Sequence, residues 1–527
     1  MVEITPPPDA PQPGSAPWKA FSLAVAGVTL LRLAAAATIP LSGDEAYYWT
    51  WTRHLALGYH DHPPMVAWII AVFTGLLGSS TLAVRLPFVL LGSATACLSF
   101  ALGWMLGGTR ASAWWAGLLP LMVPLFTLAG MGVFPDSPLI AASAAFFVCA
   151  WRATEAPGPS LGWWTATGVC AGLAFLSKLI GLYLIPALLV YLVVQPARRQ
   201  HLRCAGPYVA IVMALAVASP FLYWNVTHGF ESVVYQFSTR LGSSSARRSP
   251  QTLKFVLLSS VAVSPVLYVM LIAAIARATR RGLRGDAGAL FIVCMAAPLH
   301  LVFLAASLVT KVGLHWTAAG TLAAFSAFGT DVAVQAPRRR QVSALVGAAL
   351  ALAVSGLVYI FALAPARLVS AVSEGAQLSG VNHGRPLKTG EITEILGFPE
   401  MGEKVRDLAA ETPSPFLITT SYALSSTLWF YSGQPFHVIM GTRIGAQYDH
   451  WDDFPSLLGR DAIYIDTSPI DSREDVWSNL REAFEEVSLA PAIVAHGGGI
   501  EARTFYVARC RGFRKDVFTP LQSIHRP

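Results

Sequence analysis

Long apolar runs separated by short polar segments occupy the first two thirds of the chain. Many of these runs reach about 20 residues, the length that an α-helix needs to cross a bilayer. The pattern predicts clear membrane spans at about 18–40, 112–131, 135–153, 161–177, 179–196, 204–224, 254–277, 288–309, 314–334 and 343–365. The chain is therefore expected to be an α-helical polytopic membrane protein.

Basic residues between the runs predict the orientation, because Lys and Arg gather in cytoplasmic loops. Such residues follow alternate spans, at Arg110, Arg152, Arg198, Arg199, Arg203, Arg277, Arg280, Arg281, Arg284, Arg338, Arg339 and Arg340. Residues 41–62 then lie outside and Arg110 inside, so the apolar stretch 63–107 crosses an odd number of times. One crossing from about Arg85 to Gly107, preceded by an interfacial helix over 63–79, gives 11 spans, and three crossings give 13.

Composition and charge divide the chain into unequal parts. Of the 527 residues, 54% are hydrophobic and 13% are charged, against about 25% charged in soluble domains, which excludes an ordinary cytosolic enzyme. Residues 1–369 carry 23 Lys/Arg and 10 Asp/Glu, whereas 370–527 carry 14 and 20. The basic excess lies between apolar runs, so orientation explains it and nucleic acid is not an expected partner.

Three domains follow from this division. Residues 1–17 form a Pro-rich tail expected to be disordered, residues 18–369 form the transmembrane domain, and residues 370–527 form a periplasmic domain. The last part has a mixed α/β pattern. Its predicted strands and helices are Phe416–Thr420, Ala462–Asp466 and Thr504–Arg509, and Met401–Ala410 and Val476–Glu486.

Polar residues that are unusual beside apolar runs fall on the outer face of this topology. They are Asp44, Glu45, Arg85, Asp136, Lys178, Gln236, Arg240, Lys311, His315 and Trp316. Since the orientation was derived from other charges, this convergence predicts one outward-facing polar pocket at the membrane surface.

Several of these residues also have a purely structural interpretation. Asp44 and Glu45 could favour a helix dipole behind a Ser42 cap, and Asp136 could cap a helix. Arg85, Lys178 and Lys311 could be interfacial anchors, and the aromatic run that contains Tyr47 and Tyr48 could be an interfacial belt or a sugar-stacking surface. The histidines His60, His62 and His315 show no metal-ligand spacing, so a divalent metal is possible but not predicted.

The motifs GDEAYYW, DHPP, RLP and PDSPL resemble those of the bacterial glycosyltransferase family 39 group. That group is similar to protein O-mannosyltransferases and lipid A aminoarabinose transferases, which share the GT-C membrane fold. The later segments HGFESVVYQFSTR, KVGLHW and QYDHW extend the resemblance to about residue 455. Two departures are His62, where aminoarabinose enzymes have lysine, and a soluble domain that is terminal rather than between spans.

The resemblance implies an inverting transfer from a polyprenyl-phosphate-linked sugar on the outer face of the bacterial inner membrane. It implies Asp44 as base, Glu45 as the second acid and Arg85 as the arginine that opens the next span. The chemistry also needs cations for the departing phosphate, for which the candidates are Arg85, Arg240, Lys178 and Lys311. Candidate substrate contacts are Tyr47, Tyr48, His62, Asp136, Gln236, His315 and Trp316.

We therefore expect a membrane glycosyltransferase that acts on a hydroxyl of a cell-envelope glycan or lipopolysaccharide, with protein as the alternative acceptor. A nucleotide-sugar donor is disfavoured because no Gly-rich phosphate loop lies on the inner face. A transporter or flippase of lipid-linked sugars is the alternative from another class, and it would place its charges near the bilayer midplane. A catalytically inactive envelope scaffold is a third interpretation, which the intact acidic pair disfavours.

Overall fold

The structure is a computed structural model that describes residues 17–156, 160–236, 251–333, 336–365, 367, 395–439 and 447–518. The predicted boundary between the second and third domains, at 369/370, lies outside these residues, as do Arg240 and nearly all of the Pro-rich tail.

The first part of the described chain is almost entirely helical. Its α-helices are α1 (Pro17–Thr38), α2 (Gly43–Thr50), α3 (Met65–Leu77), α4 (Thr81–Gly107), α5 (Arg110–Met122), α6 (Pro124–Ala129), α7 (Asp136–Glu155), α8 (Leu161–Ser177), α9 (Leu184–Val194), α10 (Ala205–Thr227), α11 (Glu231–Val234), α12 (Thr252–Val263), α13 (Pro265–Gly282), α14 (Ala287–Ala306), α15 (Ala318–Ala333) and α16 (Arg338–Leu363). Short 3-10 helices lie at Trp51–Arg53, Leu179–Tyr183, Pro196–Arg203 and Leu314–Thr317.

Six of the described helices are long and apolar enough to cross a membrane alone, namely α1, α4, α7, α10, α14 and α16. The number rises to eight if each of two bent helix pairs is one span. The protein is thus a multi-pass membrane protein, while the figure of 11 spans stays a prediction. The span predicted at 254–277 is broken and not continuous: α12 and α13 meet at 103°, where Ser264 has φ 101° and Pro265 follows.

The C-terminal part is a mixed α/β domain, as predicted. Its elements are α17 (Phe398–Glu411), β1 (Phe416–Thr419), α18 (Tyr422–Ser432), β2 (Phe436–Val438), β3 (Ala462–Asp466), α19 (Glu474–Ala483), β4 (Phe484–Leu489), β5 (Ile493–Gly497) and β6 (Ile500–Phe513), with 3-10 helices at Gln447–His450, Phe454–Leu457 and Ile470–Ser472. The strand order is β2-β1-β3-β6-β4, and β5 pairs with β6. The β1 strand is parallel to β2 and β3, whereas β6 is antiparallel to its neighbours.

Both faces of this sheet are covered, which explains why its central strands are continuously apolar. Along β1, Phe416 and Ile418 pack into one core and Leu417 packs into the other. The predicted helix Val476–Glu486 is too long, because its last residues form β4, which pairs with β6. This domain contacts the membrane body through α18, which packs against α2.

Candidate functional site

The acidic pair lies in the first turn of α2, where its two members face different surroundings. The Ser42 hydroxyl accepts the Glu45 N–H at 3.4 Å, and the Glu45 carboxylate accepts the Ser42 N–H at 2.9 Å. This reciprocal capping satisfies two backbone donors of the helix start. Glu45 is buried, whereas Asp44 is exposed. The helix-cap interpretation therefore applies to Ser42 and Glu45 and leaves the Asp44 carboxylate at the surface.

Arg85 is bound entirely within the protein. Its Nε and Nη2 atoms donate to the two Glu45 carboxylate oxygens at 2.7 and 2.5 Å, and its remaining N–H groups reach the carbonyls of Ala36, Ile39 and Pro40. A guanidinium has five N–H donors, and all are occupied. Burial alone would raise the pKa of the Glu45 carboxyl, but the charge and hydrogen bonds of Arg85 hold that pKa below its usual value. Arg85 thus has no N–H left for the donor phosphate that the sequence assigned to it.

Asp44 contacts the C-terminal domain. The Tyr422 hydroxyl, at the start of α18, lies 3.1 Å from Asp44 Oδ1. The Tyr422 ring also packs against the Tyr47 ring, with centroids 4.6 Å apart. Nothing in the sequence suggested Tyr422, which is 378 positions from Asp44.

A second ionic cluster joins Asp136 and Lys178, two of the residues predicted for the outward-facing pocket. Lys178 Nζ lies 3.0 and 2.8 Å from the two Asp136 oxygens, and both residues are buried. His315 Nε2 lies 3.8 Å from Asp136 Oδ2. The two clusters are neighbours, because the Val133 N–H donates to Glu45 at 3.0 Å and Asp136 follows three positions later.

The KVGLHW segment lies beside an apolar cavity. Lys311 is exposed, and Trp316 packs against Phe303 with ring centroids 5.3 Å apart. A cavity of about 260 Å³ lies between α12, α13, α14 and α15, and its lining includes Leu314 and Thr317. These two residues flank His315 and Trp316 in the chain, so the cavity adjoins the polar cluster.

Other residues predicted to contact the substrate instead contact residues of the protein itself. Tyr48 and His62 are buried, with ring centroids 6.3 Å apart. The Tyr47 hydroxyl donates to Asp61 at 2.5 Å and accepts the Gln447 N–H at 2.7 Å, and the Gln236 amide donates to the Asp61 carbonyl. Burial and the neighbouring Asp61 raise the pKa of the Tyr47 phenol well above its usual value.

A group that could hold a metal joins three distant parts of the chain. His60 Nδ1 lies 2.8 Å and His450 Nε2 lies 3.0 Å from Glu231 Oε1, and the three ligand atoms lie within 4.8 Å of one another. Two imidazoles and a carboxylate suit a divalent transition metal such as zinc. His60 Nε2 is buried without a hydrogen-bond partner in the described structure. This group could not be predicted from the spacing of its members, because Glu231 is 171 positions from His60 and 219 positions from His450.

Comparisons with known proteins support the expected resemblance. Residues 61–224 match the family described as dolichyl-phosphate-mannose-protein mannosyltransferase. The lipid A galacturonosyltransferase RgtD of Rhizobium johnstonii is 28% identical over 286 residues, which are 53% of this chain and 59% of that protein. The undecaprenyl phosphate-alpha-4-amino-4-deoxy-L-arabinose arabinosyl transferase of Serratia proteamaculans is 30% identical over 177 residues, or 33% and 32% of the two chains. The chain therefore spans about three fifths of the first relative and a third of the second.

Solved structures match over a larger part of the chain. ArnT from Cupriavidus metallidurans, in its apo state and bound to undecaprenyl phosphate, aligns with TM-scores of 0.61 and 0.64 at 18% and 17% identity. Each alignment covers 94% of this chain and 98% of that one. The fold is GT-C. The predicted fold class and the resemblance to family 39-like membrane glycosyltransferases are thereby confirmed, whereas the roles of individual site residues stay predictions.

Proposed function

We propose that this protein is a polyprenyl-phosphate-sugar-dependent glycosyltransferase of the bacterial inner membrane. It transfers a monosaccharide to a hydroxyl of a lipopolysaccharide or another cell-envelope glycan on the periplasmic side. The observation that carries the proposal is the exposed Asp44 carboxylate, which is separate from the saturated Glu45–Arg85 pair. Two relatives named as lipid-linked sugar or lipid A transferases support the choice of donor and acceptor.

In this mechanism Asp44 accepts the proton of the acceptor hydroxyl while the oxygen attacks the anomeric carbon of the sugar. The bond between that carbon and the phosphate oxygen breaks, and polyprenyl phosphate leaves with the electron pair. A single displacement of this kind inverts the anomeric configuration. Glu45 and Arg85 hold α2 in place and touch no substrate.

Cations at the KVGLHW side support the departing phosphate. Lys178 and Lys311 are the candidates among the described residues, and His315 lies next to the Asp136–Lys178 pair. Arg240, outside the described residues, stays a further candidate. The adjoining apolar cavity accommodates the isoprenoid units nearest the donor phosphate, since its lining is hydrophobic.

The positions of these charges favour an enzyme over a transporter. Asp136 begins α7, Lys178 immediately follows α8, and Asp44 lies in the first turn of a short helix. The eight-residue helix that carries Asp44 is too short to cross a bilayer, whereas a transporter of lipid-linked sugars is expected to carry its charges near the midplane of its spans.

The test is in vitro transfer by the purified full chain, with a panel of polyprenyl-phosphate monosaccharides as donors and lipid A as acceptor. Asp44→Asn should lower turnover by about 10²–10⁴-fold, the usual cost of losing a general base, with donor binding intact. Asp475→Asn is a matched control, because Glu474 and Asp475 form another acidic pair in the first turn of a helix. Normal turnover of Asp44→Asn at equal protein levels would remove Asp44 from the mechanism.

Repeating the assay with a protein acceptor tests the alternative acceptor. Lipid movement across proteoliposomes without any transferred product would instead favour the flippase.

A further inference from the structure

The C-terminal domain meets the membrane body at the helix that carries Asp44. A Cβ atom added to Gly43 would lie 2.5 Å from Ala423 Cβ, so α2 and α18 are in close contact at their first turns. Farther along the two helices, the Trp49 ring packs edge-on against Phe430, with centroids 4.9 Å apart. The contact brings the first turns of both helices together and places Tyr422 beside Asp44.

Tyr422 reaches the carboxylate directly. Its hydroxyl lies 3.1 Å from Asp44 Oδ1, and a phenol donates to an ionised carboxylate. The Tyr47 ring packs against the Tyr422 ring and restricts its movement. Burial, together with the charge of Asp44, raises the pKa of the Tyr422 phenol, so the hydroxyl keeps its proton.

We infer that Tyr422 is a positioning residue for Asp44, and that the C-terminal domain thereby completes the reaction site. The inference rests on the proposed function, in which Asp44 is the base. With Oδ1 held by the tyrosine hydroxyl, Oδ2 is directed to the acceptor hydroxyl. The domain is then a component of the active site rather than an independent module.

The test is Tyr422→Phe in the full-length protein, compared with Tyr431→Phe. Tyr431 lies on the same helix, and its hydroxyl accepts the Leu41 N–H at 2.8 Å, so it contributes to the same interface without contacting Asp44. For Tyr422→Phe we expect kcat to fall about tenfold with the KM for the donor unchanged. Tyr431→Phe should leave both kcat and the KM for the donor close to those of the wild type.

Fluorotyrosine at position 422 gives a second readout. Its hydroxyl still donates to the Asp44 carboxylate, so this protein should keep a kcat close to that of the wild type. If the Phe protein keeps the wild-type kcat, if kcat falls equally in Tyr431→Phe, or if the fluorotyrosine protein loses as much kcat as the Phe protein, Tyr422 does not position Asp44. If Asp44→Asn itself keeps normal turnover, the proposed base fails, and that result is distinct from a failure of Tyr422 alone.

Discussion

Glu45–Arg85 and Asp136–Lys178 are both buried ion pairs near helix ends, and their side chains are almost equally inaccessible, at 5% and 4% against 6% and 7% exposed. Their neighbours differ. Arg85 also donates to three backbone carbonyls, whereas the second pair lies beside the more exposed imidazole of His315. The two pairs are therefore distinguished by their neighbours and not by their burial, because backbone carbonyls surround the first and a partly exposed imidazole lies beside the second. We assign the first pair to the scaffold and the second to the site.

The largest effect on stability is expected at the Glu45–Arg85 pair, which we call the scaffold pair. Arg85→Lys replaces five N–H donors by three, so buried carbonyls or part of Glu45 lose their partners. Each buried acceptor left without a hydrogen bond typically costs about 1–3 kcal/mol. We expect most of the protein to be lost from the monodisperse peak in detergent size-exclusion chromatography, with a lowered Tm.

Arg53→Lys is the control for this prediction. Arg53 is exposed, lies over the Trp49 ring and contacts Ser79, so its replacement should leave folding unchanged. A well-folded Arg85→Lys protein with the wild-type Tm and no activity would contradict the scaffold role and return Arg85 to the donor phosphate.

The Asp136–Lys178 pair should tolerate the loss of its charges better than the Glu45–Arg85 pair. In the double variant Asp136→Asn/Lys178→Gln both charges are removed together, so neither is left unpaired in a buried position. We expect the fold to persist and the kcat/KM for the donor to fall about 10- to 100-fold, the value of one charge-assisted hydrogen bond. Steady-state kinetics with varied donor measures this change. Unchanged donor kinetics would place Lys178 in the scaffold beside Arg85.

The close contact between α2 and α18 predicts a smaller loss of turnover, which a compensating substitution should partly reverse. A methyl group in Gly43→Ala would meet Ala423 at 2.5 Å and separate the two helices, and overpacking of this kind costs about 1–3 kcal/mol. We expect several-fold slower transfer, which Gly43→Ala/Ala423→Gly should partly restore.

Gly75→Ala is the matched control, because Gly75 lies in a helix with nothing within 4 Å of an added Cβ. A Gly43→Ala protein with wild-type turnover, or a double variant without recovery, would show that this contact does not control the site.

The sequence predicted the membrane helices and the sheet domain because both patterns are local. Apolar runs predict α1 or α14 without knowledge of their neighbours, and short β-rich runs predict β1 and β3. The bend at Ser264 was missed because an apolar run of 24 residues carries no sign of a 103° turn, although Pro265 was a weak signal.

The site could be predicted only in part. Asp44 and Glu45 stood out as charges at a membrane edge, but their different roles depend on partners that sequence does not place. The carbonyls that saturate Arg85 come from the chain reversal after α1. Tyr422 comes from another domain, and only the folded contact between α2 and α18 brings it to Asp44.

The smallest expected effect concerns the His60–Glu231–His450 group, which also joins the two domains. Burial alone would lower the pKa of His60, but the hydrogen bond and charge of Glu231 raise it overall, while the pKa of Glu231 is lowered. In metal-free protein the His60 contribution is complete below about pH 6.5 and is lost as pH rises through the raised pKa. The Glu231 contribution is present above about pH 4.5 and is lost as pH falls. The ion pair is therefore strongest between these values.

A bound divalent metal should reverse the loss of stability at higher pH, because the metal binds only deprotonated imidazoles. With EDTA, we expect the Tm to fall by no more than about 2 °C between pH 6.5 and pH 8.5, since the His60–Glu231 pair is partly exposed. With zinc, the Tm should stay level or rise over the same interval. His450→Gln should abolish the zinc effect, whereas His496→Gln, which alters the more exposed His496–Glu400 pair, should retain it. Equal responses of the two variants would show that the zinc effect originates elsewhere, and an absence of any zinc effect in the wild type would leave the group as an ion pair alone.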